Sequence, residues 1–180
     1  TPAAPDVITR FIGKAGELHV LGELLRRGIV PYVPLVDRHG VDAIIPRADG
    51  GHISIQIKTC VSSVSSRWFA VDRLEAIPDL YIACVAMNLR PVETWIVPSE
   101  VFASNATRSK SGRLDLDLNG RPRGQNVSRA ETLQEFREAW HLLTGERDPD
   151  PVTAASEAAF AEDWESPEDS IYDDIETADV

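Results

Sequence analysis

The sequence predicts an α/β domain built on a central sheet, and three observations carry that prediction. A long stretch near the N-terminus repeats apolar residues at helical spacing. A series of short apolar, strand-like runs follows it, two of them separated by a turn signal. One run, Leu80–Met87, is almost wholly apolar, the pattern of a strand covered on both faces and so placed in the middle of the sheet.

The elements follow in order. Residues 8–28 read as a helix, with Ile8, Phe11, Ile12, Ala15, Leu18, Val20, Leu21, Leu24 and Leu25 recurring at roughly helical spacing. Thr9 is the expected N-cap and Gly28 the expected C′ residue. Gly13, Gly16 and Gly22 each weaken the helix by about 1 kcal/mol relative to Ala, which suggests close packing on the sheet as their use. Ile29–Val36 reads as an edge strand because it contains Pro31 and Pro34. Val41–Pro46 and His52–Thr59 flank Ala48-Asp49-Gly50-Gly51, a hairpin signal. Arg67–Val71, Leu80–Met87 and Thr94–Val97 complete the strands, and Pro98-Ser99-Glu100 starts a short helix. Leu114–Leu118 alternates as a short strand inside a basic loop, Arg108–Gly124. Glu131–Thr144 reads as a second amphipathic helix with Leu133, Phe136, Trp140 and Leu143 on one face. Asp148-Pro149-Asp150-Pro151 is a linker between a domain of residues 1–147 and a tail of residues 153–180, whose start, Thr153–Phe160, can form a short helix.

Composition narrows the class. No apolar run approaches the roughly 18 residues of a membrane span, and the N-terminal residues do not read as a signal peptide. Cys60 and Cys84 sit in strand-like runs, as expected for buried reduced thiols of a cytoplasmic protein. The net charge of −11 is unevenly spread. Residues 1–150 hold all 18 Lys and Arg against 19 Asp and Glu, whereas residues 151–180 hold 10 acids and no base. Within the nearly neutral body, Arg108, Lys110, Arg113, Arg121, Arg123 and Arg129 face only Asp115 and Asp117. Such a stretch can attract nucleic-acid phosphates, or it can be a solvated loop.

The chemistry is expected at four residues. A turn centred on Asp49-Gly50 brings Asp42 opposite the Gln56–Lys58 end of the next strand, where Gln56 and Lys58 share a face. Glu17, on the helix over this sheet, can add a carboxylate, with Glu23 a rival for that role. Carboxylate and carbonyl oxygens suit Mg²⁺ (or Mn²⁺), which keeps several waters. Lys58 can orient a water or offset charge on a phosphate. That set points to phosphodiester hydrolysis. His19, His39, His52 and His141 show no metal-ligand spacing, and Ser62, Ser63, Ser65 and Ser66 read as a loop. Of Trp68 and Phe69, alternate on one strand, one is expected in the core and the other is free to stack on a base.

Gly13-Lys14-Ala15-Gly16-Glu17, Glu23-Leu24-Leu25-Arg26-Arg27-Gly28, Gly40-Val41-Asp42 and Ile55-Gln56-Ile57-Lys58-Thr59 together resemble the PD-(D/E)XK nuclease superfamily. The resemblance is to small microbial members with a Gln-x-Lys-Thr strand, related to restriction-type endonucleases and Holliday-junction resolvases. It runs over roughly residues 8–100 and more weakly to Gly124. It implies a restriction-endonuclease-like mixed central sheet flanked by helices and Mg²⁺-dependent cleavage of nucleic acid. By position it makes Glu17 the helix acid, Asp42 and Gln56 metal ligands and Lys58 the catalytic lysine. Gln56 departs from the usual carboxylate, removing one negative charge and lowering metal affinity. Some members carry Gln here, and inactive relatives that bind nucleic acid or a protein also exist. Two functions therefore stand: a metal-dependent DNA nuclease, for which a homodimer would suit double-strand cleavage, and a non-catalytic interaction protein on the same fold.

The tail is a separate message. Phe160, Trp164, Tyr172 and Ile175 are spaced among acids, a pattern that can fold on a basic partner. It resembles the Asp-Trp…Pro-Glu-Asp tails of small bacterial antitoxins, which implies a basic protein partner such as a toxin. A solubilising extension, or a nucleic-acid mimic folded over the basic loop, fits the same residues.

Overall fold

The computed structural model describes residues 5–35, 40–60, 66–122, 124 and 126–144. The chain divides into a unit of Thr1–Gly145 and a unit of Glu146–Val180. The linker and the tail, with Phe160, Trp164, Tyr172 and Ile175, lie outside the described residues, as do Arg123, His39, Ser62, Ser63 and Ser65.

Helix α1 spans Pro5–Arg26. It begins before the predicted start, so Thr9 lies within the helix. Pro5 suits the first turn, where a missing N–H costs nothing. The other end follows expectation. Gly28 adopts a φ of +70°, its N–H donates to the Leu25 carbonyl at 2.9 Å, and the Ile29 N–H donates to the Leu24 carbonyl at 3.0 Å. This pair of bonds is a Schellman motif, and the two residues it brings together, Leu24 and Ile29, are both core residues.

Strands β1 (Ala43–Pro46) and β2 (His52–Cys60) form the predicted antiparallel hairpin, with Pro46 opposite His52. Gly50 takes φ +83° in the turn, and the Arg47 N–H donates to the Gly51 carbonyl at 2.9 Å. Strand β3 (Trp68–Val71) comes next in the chain, followed by β4 (Leu80–Ala86), which pairs parallel with β2, and β5 (Glu93–Pro98), antiparallel to β4. The central sheet has the order β1-β2-β4-β5 and is mixed, as expected, with β4 inside it. Residues 29–35 do not form the predicted edge strand. Pro31 and Pro34 have no N–H to donate, and pairing there shrinks to one bridge between Tyr32 and Ile44.

Each face of the sheet has its own cover. Ile53, Ile55, Ile57, Ala83, Val85 and Ile96 pack with Val20 and Leu24 of α1. On the other face Ile82, Cys84, Ala86, Trp95 and Val97 pack with Phe69, Val71, Leu114 and Leu116. Those four come from a second, three-stranded sheet, β3-β7-β6, in which β6 is Thr107–Arg108 and β7 is Leu114–Asp117. Helix α2 (Ser99–Asn105) adds Phe102 to the same layer. The second sheet was not anticipated, because strands of both sheets carry similar apolar runs.

Residues 131–144 are not one helix. A short α3 (Arg129–Thr132) gives way to 3₁₀ turns at Gln134–Phe136 and Trp140–Leu143. The apolar residues of this segment serve opposite faces of the sheet: Leu133 and Phe136 one, Ala139, Trp140 and Leu143 the other. The chain crosses at the edge of β5, where Arg137 bridges Trp95 and the Glu138 N–H donates to the Thr94 carbonyl at 2.8 Å. An unbroken helix could not satisfy that edge.

The close approach expected of the glycines occurs at Gly16, where an added Cβ would overlap Thr59 Oγ1 and stand 3.0 Å from the Thr59 Cβ. Gly22 is different, exposed with nothing near such a Cβ. Gly16→Ala is expected to lower stability by about 1–3 kcal/mol through overpacking. Thr59→Ala in the same chain should recover most of that loss. Denaturant unfolding of the two variants checks this, and full-sized loss in the double variant would contradict it.

Candidate functional site

Asp42 immediately precedes β1, at the point where the hairpin register brings it to β2. Its N–H donates to the Ile55 carbonyl at 2.8 Å, and its Oδ2 accepts the Ile57 N–H at 2.6 Å. A carboxylate on a backbone N–H is a charge-assisted hydrogen bond and orients the side chain firmly. The residue it grips lies between Gln56 and Lys58. These two alternate to the face opposite Ile55 and Ile57, with Ile82 and Cys84 as their neighbours on β4. Asp42, Gln56 and Lys58 are thus brought together on adjacent strands.

Gln56 is a polar side chain only 6% exposed. Gly40, in the left-handed region at φ +73°, lies against it, and a Cβ there would overlap Gln56 Nε2. Lys58 is half-buried beside Cys84. Burial pushes the Cys84 thiol up, while the Lys58 charge acts in the opposite direction. Cys84 and Cys60 are both buried, so neither offers an exposed nucleophile.

Glu17 follows Gly16, the residue that rests on Thr59 of β2. Its carboxylate accepts a hydrogen bond from Lys14 within a close ion pair. That bond to Glu17 raises the Lys14 pKa, and the charge of Asp42 raises it further, so Lys14 sits in the fields of both carboxylates. The rival acid, Glu23, is occupied elsewhere. Arg27 and Arg26 hold it at the C-terminal end of α1, and the Arg27 hydrogen bond lowers its pKa. Among the described residues no group of three His, Cys, Asp or Glu could by itself hold a metal ion. The donors at Asp42 are instead hard oxygens of mixed type, from Asp42 and the Gln56 amide, whereas Glu17 lies on α1, which packs on the opposite face of β2. That chemistry fits Mg²⁺ or Mn²⁺, which complete their shells with water.

A cleft of about 650 Å³ opens beside Gln56, lined also by Gly40, Ser54, Asp72, Arg73 and Glu75. Arg73 adopts φ +58°, a conformation uncommon for a residue with a side chain. Among the described residues it has no ion-pair or hydrogen-bond partner. The loop carrying it is tied down at its far end. Ser99 Oγ donates to the Ile77 carbonyl at 2.9 Å and accepts the Ile77 N–H at 3.1 Å, and the Ser54 N–H donates to the Asp79 carbonyl at 2.8 Å. Sequence reasoning missed Asp72, Arg73 and Glu75, since nothing in a loop between strands announces which strand it will face.

The basic loop is partly neutralised. Arg113 donates to Asp115 at 2.8 Å and lies 4.8 Å above the Trp68 ring. Arg108 donates to the Gly112 carbonyl, and Arg129 to the Asp117 carbonyl. Lys110 and Arg121 are exposed. Of the aromatic pair, Phe69 is buried and Trp68 is 41% exposed, as alternation requires. No helix among the described residues is long and apolar enough to cross a membrane.

The fold is therefore a mixed α/β sheet with a helix on one face and a second sheet and short helix on the other, with Asp42 seated at the β1–β2 hairpin. It is similar to the solved structure of a bacterial homing endonuclease, I-Ssp6803I, with a TM-score of 0.53 at 19% identity over 84% of this chain and 97% of that one. No family model and no curated protein matches the chain.

Proposed function

We propose that this chain is a Mg²⁺- or Mn²⁺-dependent DNA endonuclease of the PD-(D/E)XK type. The observation that carries the reading is Asp42 fixed on the Ile57 amide between Gln56 and Lys58, on a fold similar to that of a homing endonuclease. Asp42 and Gln56 are the residues that would hold the cation, with Glu17, on the α1 side of β2, a further carboxylate whose partner Lys14 also feels the charge of Asp42. The bound ion would polarise a water and offset charge on the scissile phosphate. Lys58 orients that water and stabilises the anionic phosphate oxygens. Arg73 grips the DNA backbone in the cleft, while Arg108, Lys110, Arg113, Arg121 and Arg123 supply contacts to phosphates further along.

The test is cleavage of supercoiled plasmid. Nicking that requires Mg²⁺, stops in a chelator and disappears in Lys58→Ala is the expected result. Cleavage that persists in the chelator or in Lys58→Ala would refute the reading. Arg73→Ala is expected to raise the KM for DNA about 10–100-fold, the scale of a lost charged hydrogen bond, with Mn²⁺ affinity unchanged. Parallel loss of Mn²⁺ binding would instead make Arg73 a structural element of the cleft.

The neutral Gln56 favours a second reading, a non-catalytic interaction protein on the same fold, with the acidic tail gripping a basic partner. Partner affinity that survives both Asp42→Ala and Lys58→Ala, with no metal binding, would support it.

A further inference from the structure

The floor and the rim of the cleft beside Gln56 differ in chemistry. Gln56 lies at the floor, only 6% exposed, and among the described residues its side-chain amide makes no hydrogen bond. A polar group so buried calls for a partner, and here the open side is the cleft. The amide nitrogen is the atom that a Gly40 Cβ would strike, and Gly40 is itself part of the cleft lining. The nitrogen therefore lies toward the cleft and leaves the carbonyl oxygen for a cation. Val41, Leu74 and Leu80, all partly buried, supply apolar walls. The exposed rim carries Asp72, Arg73 and Glu75, two carboxylates against one guanidinium.

We propose that the cleft takes one nucleotide unstacked from a DNA strand, so that the substrate is DNA with an unpaired nucleotide beside the scissile phosphate. The inference rests on the nuclease reading and narrows its substrate. Size comes first. The cleft holds about 650 Å³, within the roughly 300–1,000 Å³ of sites that enclose a small ligand. A paired base offers only its edges, at the bottom of a groove, and cannot reach an amide on the cleft floor. Charge comes second. A backbone threaded through the cleft would bring successive phosphates against Asp72 and Glu75. One phosphate on Arg73 with a neutral base turned inward avoids that repulsion, and amino or hydroxyl groups of the nucleotide can donate to the two carboxylates. The apolar walls then cover the faces of the base, as they do where a base is extruded into a pocket. Every base carries a ring-nitrogen or carbonyl acceptor for the Gln56 NH₂ group, so the cleft selects the unpaired state rather than a sequence.

The test is binding without cleavage. Fluorescence anisotropy of the full 180-residue chain in a chelator compares a fully paired duplex with the same duplex carrying one unpaired nucleotide. The unpaired nucleotide should tighten binding about tenfold or more, because the work of extruding a base is already done. Two variants locate the preference. Gln56→Leu removes the amide at similar volume. Ser54→Phe, two residues away on the same face of β2, places a ring in the cleft. Each should bring the ratio of the two affinities close to one, and a ratio is insensitive to a fall in the folded fraction. Equal wild-type affinity for the two duplexes overturns the inference and leaves the nuclease reading to its plasmid test. A preference that persists in both variants also overturns it, as does a free deoxynucleoside monophosphate bound as tightly as the duplex with the unpaired nucleotide. Binding to neither duplex overturns the nuclease reading as well.

Discussion

Replacing Asp42 with asparagine is expected to lower single-turnover DNA cleavage by about 10³-fold, the scale of removing a central electrostatic group from an active site. The substitution keeps an oxygen able to accept the Ile57 N–H, so the hairpin register should survive. What goes is the negative charge. With Gln56 already neutral, Asp42 supplies the negative charge held on the β2 strand, and Glu17 is already paired with Lys14. The charge-assisted bond to Ile57 weakens to an ordinary one, so stability should fall by about 1 kcal/mol. Thermal unfolding beside the cleavage assay separates the two effects. A thousandfold loss of cleavage with a small fall in stability fits the account; cleavage that survives would show that the cation, if one is used, is held elsewhere.

Gly40→Ala should have the second largest effect, although Gly40 carries no chemistry. Its φ of +73° lies in the left-handed region, where a side chain costs about 1–2 kcal/mol. Its missing Cβ leaves room for the Gln56 amide, whose Cδ would stand 3.2 Å from an added methyl. Alanine therefore strains the backbone and drives the Gln56 side chain out of place. A fall in stability of about 1–3 kcal/mol and a 10–100-fold fall in cleavage are expected. Combining Gly40→Ala with Gln56→Ala removes the collision but not the strain, so part of the stability returns and the activity does not. Equal stability of the single and double variants would contradict the close approach.

These two predictions rest on parts of the molecule that were unequally legible. The Asp42 arrangement could be read from the chain because Asp49-Gly50 dictates the turn, the turn dictates the register, and strand alternation does the rest. Leu80–Met87 announced its place by being apolar throughout. Gly40 was visible only as a neighbour of Asp42, since its contact with Gln56 depends on a side chain sixteen positions away. The pairing of Glu17 with Lys14 is a local three-residue spacing, legible in principle but overlooked in favour of the more distant partner. Residues 131–144 misled for a better reason. Their apolar spacing is helical, but the side chains divide between two faces of the sheet, and periodicity does not encode which face a residue serves. Arg73 was hidden most completely, because its position depends on Ser99 holding a loop from a different element.

Mn²⁺ titration of the intact chain by calorimetry tests the central claim most directly, because it asks about the site without requiring the right DNA sequence. One ion per chain, bound at least tenfold more weakly by Asp42→Asn and with unchanged affinity in Arg73→Ala, is the predicted result. No Mn²⁺ binding, or binding that Asp42→Asn leaves untouched, would contradict it.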